Sequence, residues 1–184
     1  MVWYCWGKVS TGGVTATSST STQSSQVQMT DAQRRFINTL APAAQVVAKS
    51  SGILPSVMVA QAILESGWGN STLAKQANNY FGIKSDASWK GKTITLPTTE
   101  VRNGVPRTEN AVFRAYDSAT ASLLDYSKFF TSTPWRTQNY SQFRQARNYS
   151  DAVAALQKSG YATDPNYGNK LKSLIEKYRL QQYD

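Results

Sequence analysis

The sequence holds eleven aspartates and glutamates, one cysteine and no histidine. Without imidazole there is no Ser-His-Asp triad, no Cys-His nucleophile and no zinc site that needs histidine ligands. Cys5 alone makes neither an internal disulfide nor a cysteine-rich metal site. Hydrolytic chemistry in such a chain falls to carboxyl groups, with a tyrosine as helper, and needs no metal or organic cofactor. One carboxylate stands out by its surroundings. Glu65 lies in Gln61-Ala62-Ile63-Leu64-Glu65-Ser66-Gly67-Trp68-Gly69, at the end of an apolar stretch with helical spacing. A carboxyl in the last turn of a helix meets the negative end of the helix dipole and apolar neighbours, and both disfavour its charged form. A carboxyl that stays protonated near neutral pH can donate a proton to a departing oxygen. Position alone favours a solvated helix-end glutamate, since most glutamates are simply solvated.

The elements around Glu65 are readable from local signals. Pro55 suits the first position of a helix and Gly67 its C-terminal stop, so the spacing predicts a helix from Pro55 to Ser66. Before it, Thr30 caps a helix through Phe36 and Leu40, which Pro42 is expected to interrupt or restart. A short helix is expected over Ser71 to Gln76. Thr93 to Leu96 and Ala111 to Phe113 read as strands, with Asn103-Gly104 as the hairpin signal between them. Tyr116-Asp117-Ser118 opens a helix to about Phe130 with Leu123, Leu124, Tyr126 and Phe129 inward. A further helix runs from Ser150 or Asp151 to Lys158 and stops at Gly160. The last starts with Asp164 as cap and Pro165 at its first position. The fold class is therefore α+β and mainly α, with a small antiparallel β-hairpin lobe on a helical body.

Residues 1–29, rich in Ser, Thr, Gly and Gln after a short Trp-containing start, read as a flexible linker, and residues 30–184 as one domain. No basic segment and long apolar run mark a secretory leader at Met1, so an extracellular protein would need another export route, such as phage delivery. No stretch is apolar enough to span a bilayer. The net charge of +9 favours an anionic partner, such as a bacterial wall polymer. The basic residues are scattered and carry no nucleic-acid-binding motif, so no nucleic-acid partner is expected. Ten tyrosines and five tryptophans suit sugar-binding faces as well as core packing.

Three blocks carry a resemblance. Ala62 to Gly69, then Asn78-Asn79-Tyr80-Phe81-Gly82-Ile83-Lys84, then Tyr161-Ala162-Thr163-Asp164-Pro165-Asn166-Tyr167 resemble the motifs of the glucosaminidase family, glycoside hydrolase family 73. They occur in the family's order, and the match runs from about Thr30 to Leu180. The resemblance implies a lysozyme-like fold and cleavage of the β-1,4 bond after N-acetylglucosamine in bacterial peptidoglycan; a monomer is expected. It implies Glu65 as the general acid. It also implies a second carboxylate in the β lobe, which falls on Glu100 in Thr98-Thr99-Glu100-Val101-Arg102, with Glu109 and then Asp86 as fallbacks. A tyrosine from the third block belongs in the cleft, Tyr167 ahead of Tyr161. Trp68 and Tyr80 are candidate sugar platforms, and Asn79 a candidate donor to an acetamido group. Asp164 reads first as a helix cap, and Phe81 as core.

Two other readings compete. A muramidase or lytic transglycosylase would keep the helical fold and the acid, although a transglycosylase needs no second carboxylate in a β lobe. A non-catalytic wall-binding module or phage structural part would keep the aromatics and the charge without needing Glu65.

Overall fold

Helix α1 (Asp31–Ser51) begins with a capping box: Thr30 Oγ accepts from the Gln33 amide at 3.2 Å, and the Gln33 side chain accepts from the Thr30 amide at 3.0 Å. This is a computed structural model that describes residues 28–102 and 105–184, and only the backbone of residues 100–102. The expected linker over residues 1–27 and the Asn103-Gly104 turn lie outside the described residues. Pro42 does not break α1, contrary to expectation. Pro42 and Asn38, the residue whose carbonyl loses its partner, both lie on the exposed side, where water can satisfy that carbonyl.

Helix α2 (Pro55–Ser66) is the axis of the domain. Val57, Met58, Val59, Ala60, Gln61 and Ala62 are all fully buried, as expected for a helix apolar on every side. It packs on α1, α7 (Tyr149–Lys158), α8 (Tyr167–Lys177) and the terminal 3-10 turn Leu180–Tyr183. Its own cap residue, Leu54, has no side chain able to accept. Asp184 fills that role from across the fold, accepting from the Ser56 amide and hydroxyl, each at 2.8 Å. Loss of a capping oxygen typically costs about 0.5–2 kcal/mol. Asp184→Ala is therefore expected to lower stability by about 1 kcal/mol, read as a lower denaturant midpoint at unchanged slope.

The short helix α3 (Thr72–Ala77) follows, capped by Ser71. Strands β1 (Thr93–Arg102) and β2 (Val105–Arg114) pair antiparallel, from Thr93 opposite Arg114 to Arg102 opposite Val105. Both are longer than the expected stretches, Thr93 to Leu96 and Ala111 to Phe113. The hairpin is tied to the body at its base. Arg114 N–H donates to Ile83 O at 3.0 Å, Ser85 N–H to Val112 O at 2.8 Å and Tyr116 N–H to Ala77 O at 2.8 Å.

Helix α4 (Ala119–Phe129) buries Leu123 and Tyr126. Leu124, expected inward, is 38% exposed, since it falls outside the face that Leu123 and Tyr126 share. Helices α5 (Pro134–Asn139) and α6 (Ser141–Gln145) fill a stretch without apolar periodicity. Asp164 does not cap the last helix at N3. It accepts from the Asn166 amide two residues on, at 2.8 Å, and the helix starts only at Tyr167. An Asx turn has replaced the expected cap.

Candidate active site

Each residue of the Glu65 block has a physical task. Glu65 sits half-buried in the last turn of α2. Ser66 Oγ donates to Ala62 O at 2.6 Å and accepts from the Gly69 amide at 2.8 Å, which locks the turn beyond the helix. Gly67, Trp68 and Gly69 all take positive φ, at 57°, 62° and 71°. For Trp68 that conformation costs about 1 kcal/mol. Its ring offsets the cost by packing edge-on against Tyr178, 4.7 Å away, and Phe36, 5.9 Å away. A Cβ at position 69 would lie 2.8 Å from the Phe36 ring, so only glycine fits.

Glu65 is held from the side by a tyrosine of the third block. The Tyr167 hydroxyl donates to Glu65 Oε1 at 3.3 Å. The same hydroxyl accepts from Gln61 Nε2 at 2.9 Å, and Gln61 Oε1 accepts from the Tyr126 hydroxyl. Gln61 is fully buried and Tyr126 nearly so. Neither was singled out from sequence. The available signal was a lone glutamine in an apolar helix, four residues before Glu65 and therefore on the same face.

Tyr126 also floors a pocket of about 280 Å³ with Phe81 and Ile83. Phe81 is core, as read, and stacks on Tyr126 at 4.2 Å between centroids. Tyr161 and Phe129 line one wall, with Arg136 and Lys128. Arg136 lies over the Phe129 ring at 4.2 Å and donates to Ser132 Oγ at 2.7 Å. Tyr161 is half-buried, stacks on Phe130 and lies 5.8 Å from the Tyr167 ring. The third block thus places Tyr167 on Glu65 and Tyr161 on the pocket wall. A second, open groove of about 400 Å³ runs along Leu64, Asn166, Lys170 and Leu174, beside Glu65 and Tyr167 in the chain.

The far wall is an ionic cluster. Arg114 binds Asp125 through Nη1 at 2.9 Å and Asp86 through Nη2 at 3.2 Å, and Tyr116 donates to Asp125 at 2.7 Å. Burial, then the Asp125 hydrogen bond, pushes the Tyr116 hydroxyl well above the usual tyrosine range, so it stays a donor. Hydrogen bonds from Ser88, then Arg114, hold Asp86 below the usual carboxylate range. Asp86 is thus a fixed anion, unsuited to donate a proton. The Arg114 and Asp125 side chains are only 13% and 11% exposed. Removing one member of such a pair leaves the other's charge buried without compensation. Arg114→Leu is expected to cost about 3 kcal/mol of stability, measured by chemical denaturation.

Of the three candidate sugar contacts, Tyr80 and Asn79 are buried and Trp68 is half-buried. Tyr80 is 8% exposed and packs edge-on against Phe36. Trp68 belongs to the same aromatic cluster. Asn79 is 1% exposed, and its amide is occupied: Nδ2 donates to Ile83 O and Arg114 O at 2.9 Å each, and Oδ1 accepts from Ile83 N–H at 3.0 Å. In this structure Asn79 pins the turn before the β lobe, with no donor left to offer a ligand. Aromatic and amide residue types had signalled a site, while burial decides their task.

Glu100 lies in β1 opposite Arg107, and its side chain lies outside what the structure describes. Ile94, Leu96 and Thr98 are half-buried, while Thr93, Thr95, Pro97 and Thr99 are exposed. Glu109 pairs with Thr98 and is exposed. Among the described residues, no group of three or more cysteine or acidic side chains is placed to hold a metal.

Comparison with known proteins gives the family and the fold. The glucosaminidase family model, described as mannosyl-glycoprotein endo-β-N-acetylglucosaminidase, matches residues 41–180. The chain is 43% identical over 162 residues to the exo-glucosaminidase LytG of Bacillus subtilis (strain 168), covering 88% of this chain and 57% of that one. It is 39% identical over 159 residues to a "Probable N-acetylmuramidase" of Lactococcus lactis subsp. lactis (strain IL1403), covering 84% of this chain and 36% of that one. The crystal structure of the catalytic domain of the autolysin Auto from Listeria monocytogenes superposes with a TM-score of 0.76 at 39% identity, covering 86% of this chain and 90% of that one. The chain spans about half the length of the curated relatives it matches. With a mainly helical, lysozyme-like architecture and a two-stranded lobe, the chain belongs to the glucosaminidase family of peptidoglycan hydrolases and is a glycoside hydrolase.

Proposed function

We propose that this domain hydrolyses the β-1,4 bond following N-acetylglucosamine within the glycan strands of bacterial peptidoglycan, with Glu65 as general acid. The observation that carries the reading is the Glu65–Tyr167 contact at the end of the buried helix α2. A fixed helix end holds the acid in place, and a positioned hydroxyl can stabilise the carboxylate that remains after its proton leaves. In this reading Glu65 gives its proton to the departing glycosidic oxygen. The C1–O bond breaks, and water supplies a hydroxyl to C1 and returns a proton to the site. Glu100 acts from the β lobe. A separation of about 6.5–9.5 Å from Glu65 would make it the base of an inverting reaction, and about 5–5.5 Å a nucleophile. If the substrate's 2-acetamido oxygen attacks C1 instead, Glu100 orients or stabilises charge. Tyr161 offers an aromatic face for a pyranose.

The excess of basic residues supports long-range attraction to anionic wall polymers. Residues 30–184 form the catalytic unit in this reading, working as a monomer outside the cell or at its wall, with residues 1–29 as the linker. None of the helices among the described residues is long and apolar enough to cross a membrane.

The similarity to a protein named as an N-acetylmuramidase makes the neighbouring bond the alternative. Digestion of purified peptidoglycan, borohydride reduction and mass spectrometry separate the two. Reduced N-acetylglucosamine ends on fragments of several lengths are expected. Reduced muramic acid ends would move the cleavage to the other linkage.

A further inference from the structure

Gln61 and Tyr126 lie behind the site, and nothing in the reading so far uses them. Burying a glutamine amide is costly unless its groups are paired, and here both ends are. Tyr126 donates to Gln61 Oε1, Gln61 Nε2 donates to the Tyr167 hydroxyl at 2.9 Å, and Tyr167 donates to Glu65 Oε1 at 3.3 Å. Every donor in the chain points toward Glu65. With the amide in this orientation, Tyr126 gives its proton to the amide oxygen, the amide presents N–H to Tyr167, and the Tyr167 hydroxyl, accepting there, donates to Glu65. The carbonyl end and the NH₂ end of one side chain thus fix which way two hydroxyls point. Tyr126 is itself held by stacking on Phe81 and by edge contact with Phe130, so the chain starts from a rigid ring.

We propose that Gln61 and Tyr126 are positioning residues of the glycosidase reaction: they form a one-way hydrogen-bond relay that aims the Tyr167 hydroxyl at Glu65 and strengthens it as a donor. The proposal rests on Glu65 being the general acid. A donor in such a chain is polarised by the one behind it, and donation to a carboxylate favours its charged form. An intact relay therefore releases the proton of Glu65 more readily and holds the resulting carboxylate in place. Without it, Glu65 stays protonated to higher pH but delivers its proton from a looser geometry.

The test is the pH profile of kcat and kcat/KM, by reducing-end release from soluble peptidoglycan fragments. The variants are Gln61→Met, Tyr126→Phe, Tyr167→Phe and the doubles with Tyr167→Phe. A general acid sets the high-pH limb. Gln61→Met and Tyr126→Phe are expected to move that limb upward by about 0.5–1 pH unit and to lower kcat by about tenfold, with KM little changed. The relay acts only through Tyr167, so adding either change to Tyr167→Phe is expected to move nothing further. Tyr126→Phe keeps the ring and its packing, so it reads the relay even if the buried hydroxyls that Gln61→Met leaves without their amide partner prevent folding. Folded variants with a wild-type limb, or with lower activity and an unmoved limb, would overturn the relay. Full additivity with Tyr167→Phe would overturn it as well. Glu65→Gln in parallel separates the two failures: if it keeps wild-type turnover, the acid assignment falls, and if it is inactive while the relay variants behave as wild type, only the relay falls.

Discussion

Glu65→Gln is expected to lower kcat/KM on peptidoglycan by at least about 10²–10⁴-fold, the usual contribution of a general acid. The substitution keeps shape and volume, and a glutamine oxygen can still accept from Tyr167. The half-buried end of α2, locked by Ser66 and by the Trp68 packing, does not depend on the charge of residue 65. The melting temperature should therefore stay close to wild type, as should binding to insoluble wall material. Glu65→Asp asks a different question. It keeps the proton but withdraws it by one methylene from a position set by Tyr167, and a displacement of about 1 Å can cost about 10²-fold. Recovery of full activity with aspartate would mean that the geometry at the end of α2 matters less than argued here. Rates are best read as new reducing ends from soluble fragments, because wall turbidity also reports accessibility.

The second large effect is expected in the β lobe. Glu100→Gln should lower turnover by about 10²-fold or more if Glu100 activates water or attacks C1, while Glu109→Gln stays near wild type. The ladder sets Glu100 opposite Arg107 and Glu109 opposite Thr98, and pairing alone does not choose between them. The family's motif is what favours Glu100. The reverse outcome, with Glu109→Gln inactive and Glu100→Gln active, would transfer the role two ladder positions toward the base. Near-normal activity in both would favour the substrate's own 2-acetamido oxygen as the group that assists at C1. Stability should hardly change in Glu109→Gln, since residues 105–110 are exposed and exposed charge pairs contribute little.

How much of this was legible depended on whether a signal was local. Pro55 and Gly67 bounded α2 because proline at a first turn and glycine at a left-handed stop act within a few residues. Thr30, Ser71 and Ser118 did the same for their helices. Position 42 misled because the cost of an internal proline depends on whether the freed carbonyl meets water, which only the packing reveals. Helices α5 and α6 were invisible to periodicity, since Phe143 is their only buried residue. The Thr133-Pro134 start was their one local mark. In the site, residue type pointed to the right blocks but not to the right tasks. Asn79 and Tyr80 are buried, and Trp68 packs half-buried against Phe36 and Tyr178. Tyr161 lines the pocket, and Tyr167, which touches Glu65, is itself buried. Gln61 was overlooked because a polar residue in an apolar run acquires meaning only when its partners, 65 and 106 residues away in sequence, are seen beside it.

The most direct test of the central claim is digestion of purified peptidoglycan in ¹⁸O-enriched water, with immediate borohydride trapping and mass spectrometry of the new ends. The account predicts one ¹⁸O atom at C1 of reduced N-acetylglucosamine ends with the wild type, and no such ends with Glu65→Gln. Label on muramic acid ends, unlabelled anhydro-muramic ends, or labelled N-acetylglucosamine ends that persist in Glu65→Gln would contradict it.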